Sequence, residues 1–260
     1  MRDNQFSALA NEITFLVVSC DKYKDLWGPF FKCFFEFWKD CPFEICLASN
    51  HIHYLDKRVR TITIGDDNDY STNISLILKE IKTPWLIFWF EDAWISSKVD
   101  TKYLLKIINL AISENVGSLK LTDDYPWVYS DNEVDIIAPI PKGVKYRGAI
   151  GMSLYKKDLL KAMIRPGESA WELDKSVRTN LMSDKFYAFT TYGLKKPIFV
   201  FQHAVVKSKW TYTTPKFLKK YGFEILVKSR KKESFFEYMY GNIYQLRLTL
   251  FKLFKLYWKE

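Results

Sequence analysis

Six consecutive large apolar residues, Trp-Leu-Ile-Phe-Trp-Phe at positions 85–90, stand between Pro84 and the acidic pair Glu91-Asp92. A run this apolar leaves no face for water. As a strand it must be covered on both sides, which is the situation of parallel sheets whose crossover helices lie on the two faces. The segment therefore predicts a central strand of an α/β fold. The neighbouring pattern agrees. Residues 13–19 form another apolar run, closed by the polar turn Cys20-Asp21-Lys22, and residues 43–48 and 59–64 are further strand candidates. Between them Trp27, Phe30, Phe31, Phe34 and Trp38 recur at helical spacing, while Lys24, Lys32, Glu36 and Lys39 keep another side polar. That is an amphipathic helix stopped near Pro42. A short helix is expected around Ile74, Ile77, Leu78 and Ile81, another over 101–113, and a strand near 118–121. Beyond this half the pattern is less regular, with helices near 157–163 and 170–181 and strands near 149–155 and 198–206.

A chain of 260 residues that is 48% apolar can bury a sizeable core, which excludes disorder. Neither an internal repeat nor a long linker divides it, so the expected organisation is one domain over 1–232 followed by a basic, aromatic helix over 233–260. The four cysteines, Cys20, Cys33, Cys41 and Cys46, lack the paired short spacing of a zinc site and read as free thiols in a reducing compartment. No apolar run approaches the roughly 20 residues that span a bilayer, and the first residues are charged and polar, so neither a signal peptide nor a transmembrane helix is expected.

The net charge of +9 is unevenly placed: residues 195–260 hold fifteen Lys or Arg against four acids, and the remainder is slightly acidic. A basic excess at one end points to a local anionic partner, a membrane surface or a nucleic acid. Within residues 234–258 the positions Glu237, Gly241, Gln245, Thr249, Lys252 and Lys255, continued by Lys259, form one polar stripe at helical steps. The wide apolar side either caps the domain or, with Lys219, Lys220, Lys228, Arg230, Lys231 and Lys232 upstream, docks on an anionic membrane. The membrane is the favoured partner, and no nucleic acid is expected.

Glu91-Asp92 is the most informative pair, because the carboxyl end of a buried strand is where open α/β sheets bind ligands. Two anions there suit a divalent cation, Mn²⁺ or Mg²⁺, bridging the phosphates of a nucleotide; a solvated acidic strand end is the plainer reading. The chain also resembles bacterial surface-polysaccharide glycosyltransferases of the GT-A fold, in three places: residues 17–23 with the aromatic helix after them, residues 85–92, and Trp171-Glu172-Leu173-Asp174. The resemblance runs over most of residues 12–225. It implies a GT-A-like, mostly parallel central sheet flanked by helices. It also implies transfer of a sugar from a nucleotide-sugar donor to a hydroxyl of a lipid-linked glycan, lipopolysaccharide or capsule precursor, at the inner face of the cell membrane. By the same resemblance Ser19, Asp21 and Lys22 touch the donor nucleotide, Glu91 and Asp92 hold the diphosphate and metal, and the stretch around Arg147 borders the sugar. Ala93 stands where an Asp-x-Asp pattern would place its second aspartate.

Glu172 is the candidate general base, although Ser169-Ala170-Trp171-Glu172 also reads as a capping box. Asp174 is the substitute, pointing away from Glu172 at helical spacing. Asp67 and Ser71, with Asp66 and Asp69 beside a helix start, are candidates for donor contacts, and Asp69 or Ser71 for the helix cap. His203 is a candidate metal ligand beside Asp92; His51 and His53 share a strand face but lack a third zinc ligand. Two other readings stay open: a single-stranded nucleic-acid binder using Trp210, Tyr212, Lys216, Phe217, Lys219 and Tyr221, and another nucleotide-dependent enzyme such as a nucleotidyltransferase.

Overall fold

The computed structural model describes residues 8–132, 134–174, 178–182 and 185–257. The first strands are β1 (Ile13–Val18), β2 (Glu44–Ser49), β3 (Val59–Thr63) and β4 (Trp85–Phe90), separated by helices α1 (Lys24–Phe37) and α2 (Tyr70–Glu80). All six residues of β1 are buried, as are the first five of β4. After the short strand β5 (Ala93–Ile95) come α3 (Thr101–Ser113), β6 (Ser118–Lys120), β7 (Ile137–Pro139), β8 (Ser153–Lys156) and α4 (Lys157–Met163). The chain then forms two short helices, α5 (Ala170–Asp174) and α6 (Arg178–Leu181), and the strands β9 (Phe186–Phe189) and β10 (Phe201–His203). Two helices close it, α7 (Thr214–Lys220) and α8 (Phe235–Leu253).

Eight strands make one sheet in the order β3-β2-β1-β4-β8-β6-β9-β7. β3, β2, β1 and β4 run parallel, β8 is antiparallel to both β4 and β6, β9 is parallel to β6, and β7 is antiparallel to β9. The sheet is thus mostly parallel with helices on both faces. Alternation along β1 divides the core: Phe15 and Val17 join α1 and α3 on one face, and Leu16 and Val18 join α2 and α4 on the other. No helix of the described residues is long and apolar enough to cross a membrane.

The elements expected in the opening half are present within a few residues. The helix expected over 170–181 is two short helices, with 175–177 outside the described residues. The strand expected over 198–206 is reduced to Phe201–His203 and the two-residue strand Val205–Val206. All four cysteines are free; Cys33 and Cys46 are buried, and Cys20 and Cys41 partly so.

Candidate active site

The chain winds from β1 outward to β2 and β3, then returns to place β4 on the other side of β1. Adjacent crossovers therefore part at the carboxyl ends of β1 and β4, the place where an open parallel sheet leaves a crevice for a ligand. A cavity of about 340 Å³ lies there, walled by Val18, Ile64, Ile74, Ile77 and Phe90, with Ser19, Cys20, Tyr23, Asn50, Asp67, Tyr70 and Glu91 also facing it. Apolar walls interrupted by polar side chains suit a flat heterocycle or a sugar.

The turn after β4 is fixed from within. Trp89 Nε1 donates to Ala93 O at 2.7 Å and Trp94 Nε1 to Glu91 O at 3.0 Å, while Ala204 N donates to Asp92 O at 2.7 Å. Burial, reinforced by the neighbouring Asp92, pushes the Glu91 carboxyl up to about 8, so at neutral pH Glu91 largely keeps its proton and faces the cavity as a hydrogen-bond donor. β5 pairs antiparallel with β10 and sets Ala93 opposite His203. His203 Nδ1 consequently lies 3.9 Å from Asp92 Oδ2. Desolvation lowers the affinity of this ring for its proton, but Asp92 outweighs it and the His203 pKa ends above its ordinary value.

On the other side of β4, Asp174 at the end of α5 is largely buried, and its Oδ1 accepts from Ile150 N at 2.9 Å. Burial raises its carboxyl to about 6, against the opposing effects of that amide and of Lys120. Lys120 ends β6 with its ammonium donating to Tyr125 O at 2.7 Å; burial lowers its pKa, and Asp124, Asp174 and Asp123 oppose the drop. These groups lie within electrostatic reach of one another: Asp174 with Lys120, Lys120 with His203, His203 with Asp92, Asp92 with Glu91, and both Glu91 and Asp174 with Tyr70. A second, polar cavity of about 280 Å³ adjoins His203, lined also by Asp123, Asp124, Trp127 and Gln245. Thr122 Oγ1 and Gln202 Nε2, one just past β6 and one on β10, are buried without a hydrogen-bond partner among the described residues.

Several candidates have other duties. The carboxylate of Asp21 accepts from the backbone N–H groups of Asn50, His51 and Ile52 at 3.1–3.2 Å. Slight desolvation raises its pKa, but these three amides lower it overall. Asp21 thus fastens the loop after β2 to the loop after β1. Lys22 is exposed and does not line the cavity. Arg147 is buried, donating through Nε to Ile140 O at 3.1 Å and through Nη1 to Thr179 O, with its guanidinium over the Phe186 ring. Gly148 beside it abuts Thr179 so closely that a Cβ would overlap that side chain. Arg147 therefore holds two segments together, those of Ile140 and Thr179.

Glu172 is exposed, and its Oε2 accepts from Ser169 N at 2.8 Å and Ser169 Oγ at 2.7 Å; these bonds lower its pKa. It completes the capping box of α5. A solvent-facing carboxylate with a depressed pKa is a poor proton acceptor, and Asp174, raised to about 6 by burial, is the better suited of the two. Asp69 caps α2 by accepting from Thr72 N at 2.9 Å, whereas the Ser71 hydroxyl is buried without a partner among the described residues and does not line the cavity. Asp67 and Ser19 do line it; Asp67 accepts from Asn73 Nδ2 at 2.6 Å and Ser19 from Trp27 Nε1 at 2.8 Å. His51 meets exposed Asp66 at 3.1 Å. Trp210 is fully buried with its indole N–H on Leu226 O, and so offers no face for a base to stack on.

Sequence reasoning passed over Asn50, Tyr70, Lys120, Asp123 and Asp124. Asn50 follows β2 and Lys120 ends β6, so the strand-end rule that singled out Glu91 would have found both. Tyr70 carried no signal beyond its place at a helix start.

A divalent cation fits this edge in part. Asp92 and His203 supply a hard oxygen and an imidazole at one point, a set that suits Mn²⁺. Among the described residues no three His, Cys, Asp or Glu side chains converge, so water and a diphosphate would have to complete the shell.

No family model matches the chain, and no curated protein matches it. Among solved structures, it is similar to residues 1–349 of TarS from S. aureus at 13% identity and a TM-score of 0.48, over 72% of this chain and 59% of that one. The same TarS fragment in complex with UDP-GlcNAc gives 11% identity and a TM-score of 0.47, over 83% and 66%. The mannosyltransferase PcManGT from Pyrobaculum calidifontis, in complex with GDP-Man and Mn²⁺, gives 14% identity and a TM-score of 0.49, over 80% and 64%. The chain spans less than two thirds of each of these structures, and likeness at this level carries no activity across.

Proposed function

We propose that the protein is a glycosyltransferase of GT-A type that moves a sugar from a nucleotide-sugar donor to an acceptor hydroxyl. The observation that carries this reading is the shared sheet edge: the cavity at the β1–β4 reversal is lined by Glu91, which precedes Asp92 and its neighbour His203, and by Tyr70, within electrostatic reach of the largely buried Asp174. The cavity takes the nucleoside, with Glu91 and Ser19 at its polar end. Asp92 and His203 face the diphosphate, and a divalent cation held by them would neutralise the charge developing on the leaving group. Asp174, with its pKa near 6, is ionised at neutral pH while still basic enough to take the acceptor's proton. The acceptor oxygen then bonds to the anomeric carbon as the bond from that carbon to the diphosphate breaks, releasing the nucleoside diphosphate.

The acceptor is a lipid-linked glycan or a lipopolysaccharide or capsule precursor, reached by a protein held peripherally at the inner face of the membrane. What supports this part is α8. Phe236, Tyr240, Ile243, Leu246, Leu250 and Leu253 are exposed along its outward side, with Lys228, Lys231 and Lys232 upstream of the helix, Arg247 within it and Lys255 just after it. Its inward side brings Gln245 and Leu248 to the polar cavity beside His203, so a docked helix would leave that cavity near the lipid surface.

Thermal melting with nucleoside diphosphates and nucleotide sugars, with and without Mn²⁺, tests the reading. Stabilisation by one nucleotide that grows with Mn²⁺ and is lost in Asp92→Ala is the expected result. No stabilisation by any of them would turn the assignment away from transfer.

A further inference from the structure

Tyr70 opens α2, and its ring lines the cavity at the β1–β4 reversal. Its hydroxyl is fully buried and has no hydrogen-bond partner among the described residues. A phenolic O–H that leaves water without a new partner destabilises the fold, and such groups are few in folded proteins, so one beside a cavity calls for a reason. Its surroundings supply one. Apart from burial, the groups whose charge bears on the hydroxyl are Asp174, then Tyr155, then Glu91, so the carboxyl groups assigned to the acceptor side and to the nucleoside side both lie within its electrostatic reach. Several of the cavity's other polar side chains are engaged. Ser19 accepts from Trp27, Asn50 bonds Asp21 and Gly65, and Asn73 bonds Asp67 and Asn68. Tyr70 thus brings a buried, uncommitted hydroxyl to the cavity.

We infer that Tyr70 determines specificity for the transferred sugar, its hydroxyl exchanging a hydrogen bond with a ring hydroxyl held between the nucleoside cavity and Asp174. The inference rests on the glycosyltransferase reading. A residue with this role is kept at a cost to the empty protein, and that gives it a signature a structural tyrosine lacks.

Tyr70→Phe keeps the ring and removes only the oxygen. In melting without ligand the variant should gain about 2–4 °C, as expected when an unpartnered buried hydroxyl is deleted. In calorimetric titration with Mn²⁺, its affinity for the cognate nucleoside diphosphate should match wild type within about twofold, while its affinity for the corresponding nucleotide sugar should fall about fivefold to tenfold. An equal loss for both ligands would move Tyr70 into the nucleoside site and overturn the assignment. A lowered melting temperature with unchanged affinities would overturn it too, by showing that the hydroxyl holds the fold. Wild-type protein that binds neither ligand would reject the transferase reading itself, a result visible before any variant is made.

Discussion

Two helices of this chain are made of the same kind of residue and meet opposite fates. In α1 the apolar side, Trp27, Phe30, Phe31 and Phe34, is packed against the sheet, with Phe34 within 6.4 Å of the rings of Phe15, Phe30, Phe31 and Trp38. In α8 the arrangement is inverted. Its polar stripe makes the contacts: Glu237 meets Lys209 at 2.5 Å, Gln245 lines the cavity beside His203, and Lys252 lies over Trp127. Its apolar side faces outward, and Leu248 is its one buried hydrophobic residue among those described. Composition and periodicity identify an amphipathic helix; they do not say which side the protein uses.

The largest test of that contrast is a matched pair of truncations. Phe34→Ala removes a fully buried ring and should cost about 3–5 kcal/mol in urea unfolding, whereas Phe236→Ala, at 84% exposure, should stay within about 0.5 kcal/mol. Comparable losses at the two sites would mean that α8 is buried against something in solution.

The same contrast between burial and exposure separates two carboxylates on α5. Asp174→Asn should lower turnover roughly 10²–10³-fold, about 3–4 kcal/mol of barrier, with little change in donor KM, and Glu172→Gln should leave turnover near wild type. The wild-type rate should climb as pH rises through about 6 and then level off, since burial sets the Asp174 pKa there. Loss of activity in Glu172→Gln with a folded, active Asp174→Asn would reverse the assignment.

Glu91 and Asp92 repeat the pattern, and here the readout is stability against pH. The folded pKa of Glu91, about 8, lies above its ordinary value of 4.5, so the native state holds a proton that the unfolded chain has released. Its contribution is complete below about pH 4.5 and is lost as pH rises towards 8. Glu91→Gln carries no such proton and should gain on wild type between pH 5 and pH 8, by on the order of 3–4 kcal/mol in urea melts. Parallel stability curves for the two proteins would place the proton elsewhere.

The sheet's opening half was legible because its signals are local. Strands such as 85–90 are apolar throughout, and α1 alternates at helical spacing. The closing half was not, because its strands β7 and β9 are short and its order β8-β6-β9-β7 comes from long-range pairing. Much the same divides the site. Glu91 and Asp92 announce themselves at a strand end. That Asp21 and Arg147 act as struts depends on Asn50, His51, Ile52, Ile140 and Thr179, whose backbone groups reach them only in the folded chain. Asp174 and Glu172 are two positions apart, and only the contact with Ile150 tells the largely buried carboxylate from the cap.

The sharpest test of the inverted helix lies on its outward side. Replacing Phe236, Ile243 and Leu246 together by Ser should alter unfolding by no more than about 1 kcal/mol, because all three are more than half exposed. Sedimentation with vesicles containing anionic lipid should nonetheless fall at least about tenfold, since each side chain would otherwise bury apolar area at the interface. Wild-type binding should also weaken as salt rises from 50 to 300 mM, reflecting the Lys and Arg residues around the stripe. Unchanged vesicle binding, accompanied by a drop in solution mass from dimer to monomer, would show that the apolar side is matched to a second copy of this chain. The inversion of α8 relative to α1 would then be an interface between subunits, with the polar cavity beside His203 lying next to that interface instead of a lipid surface.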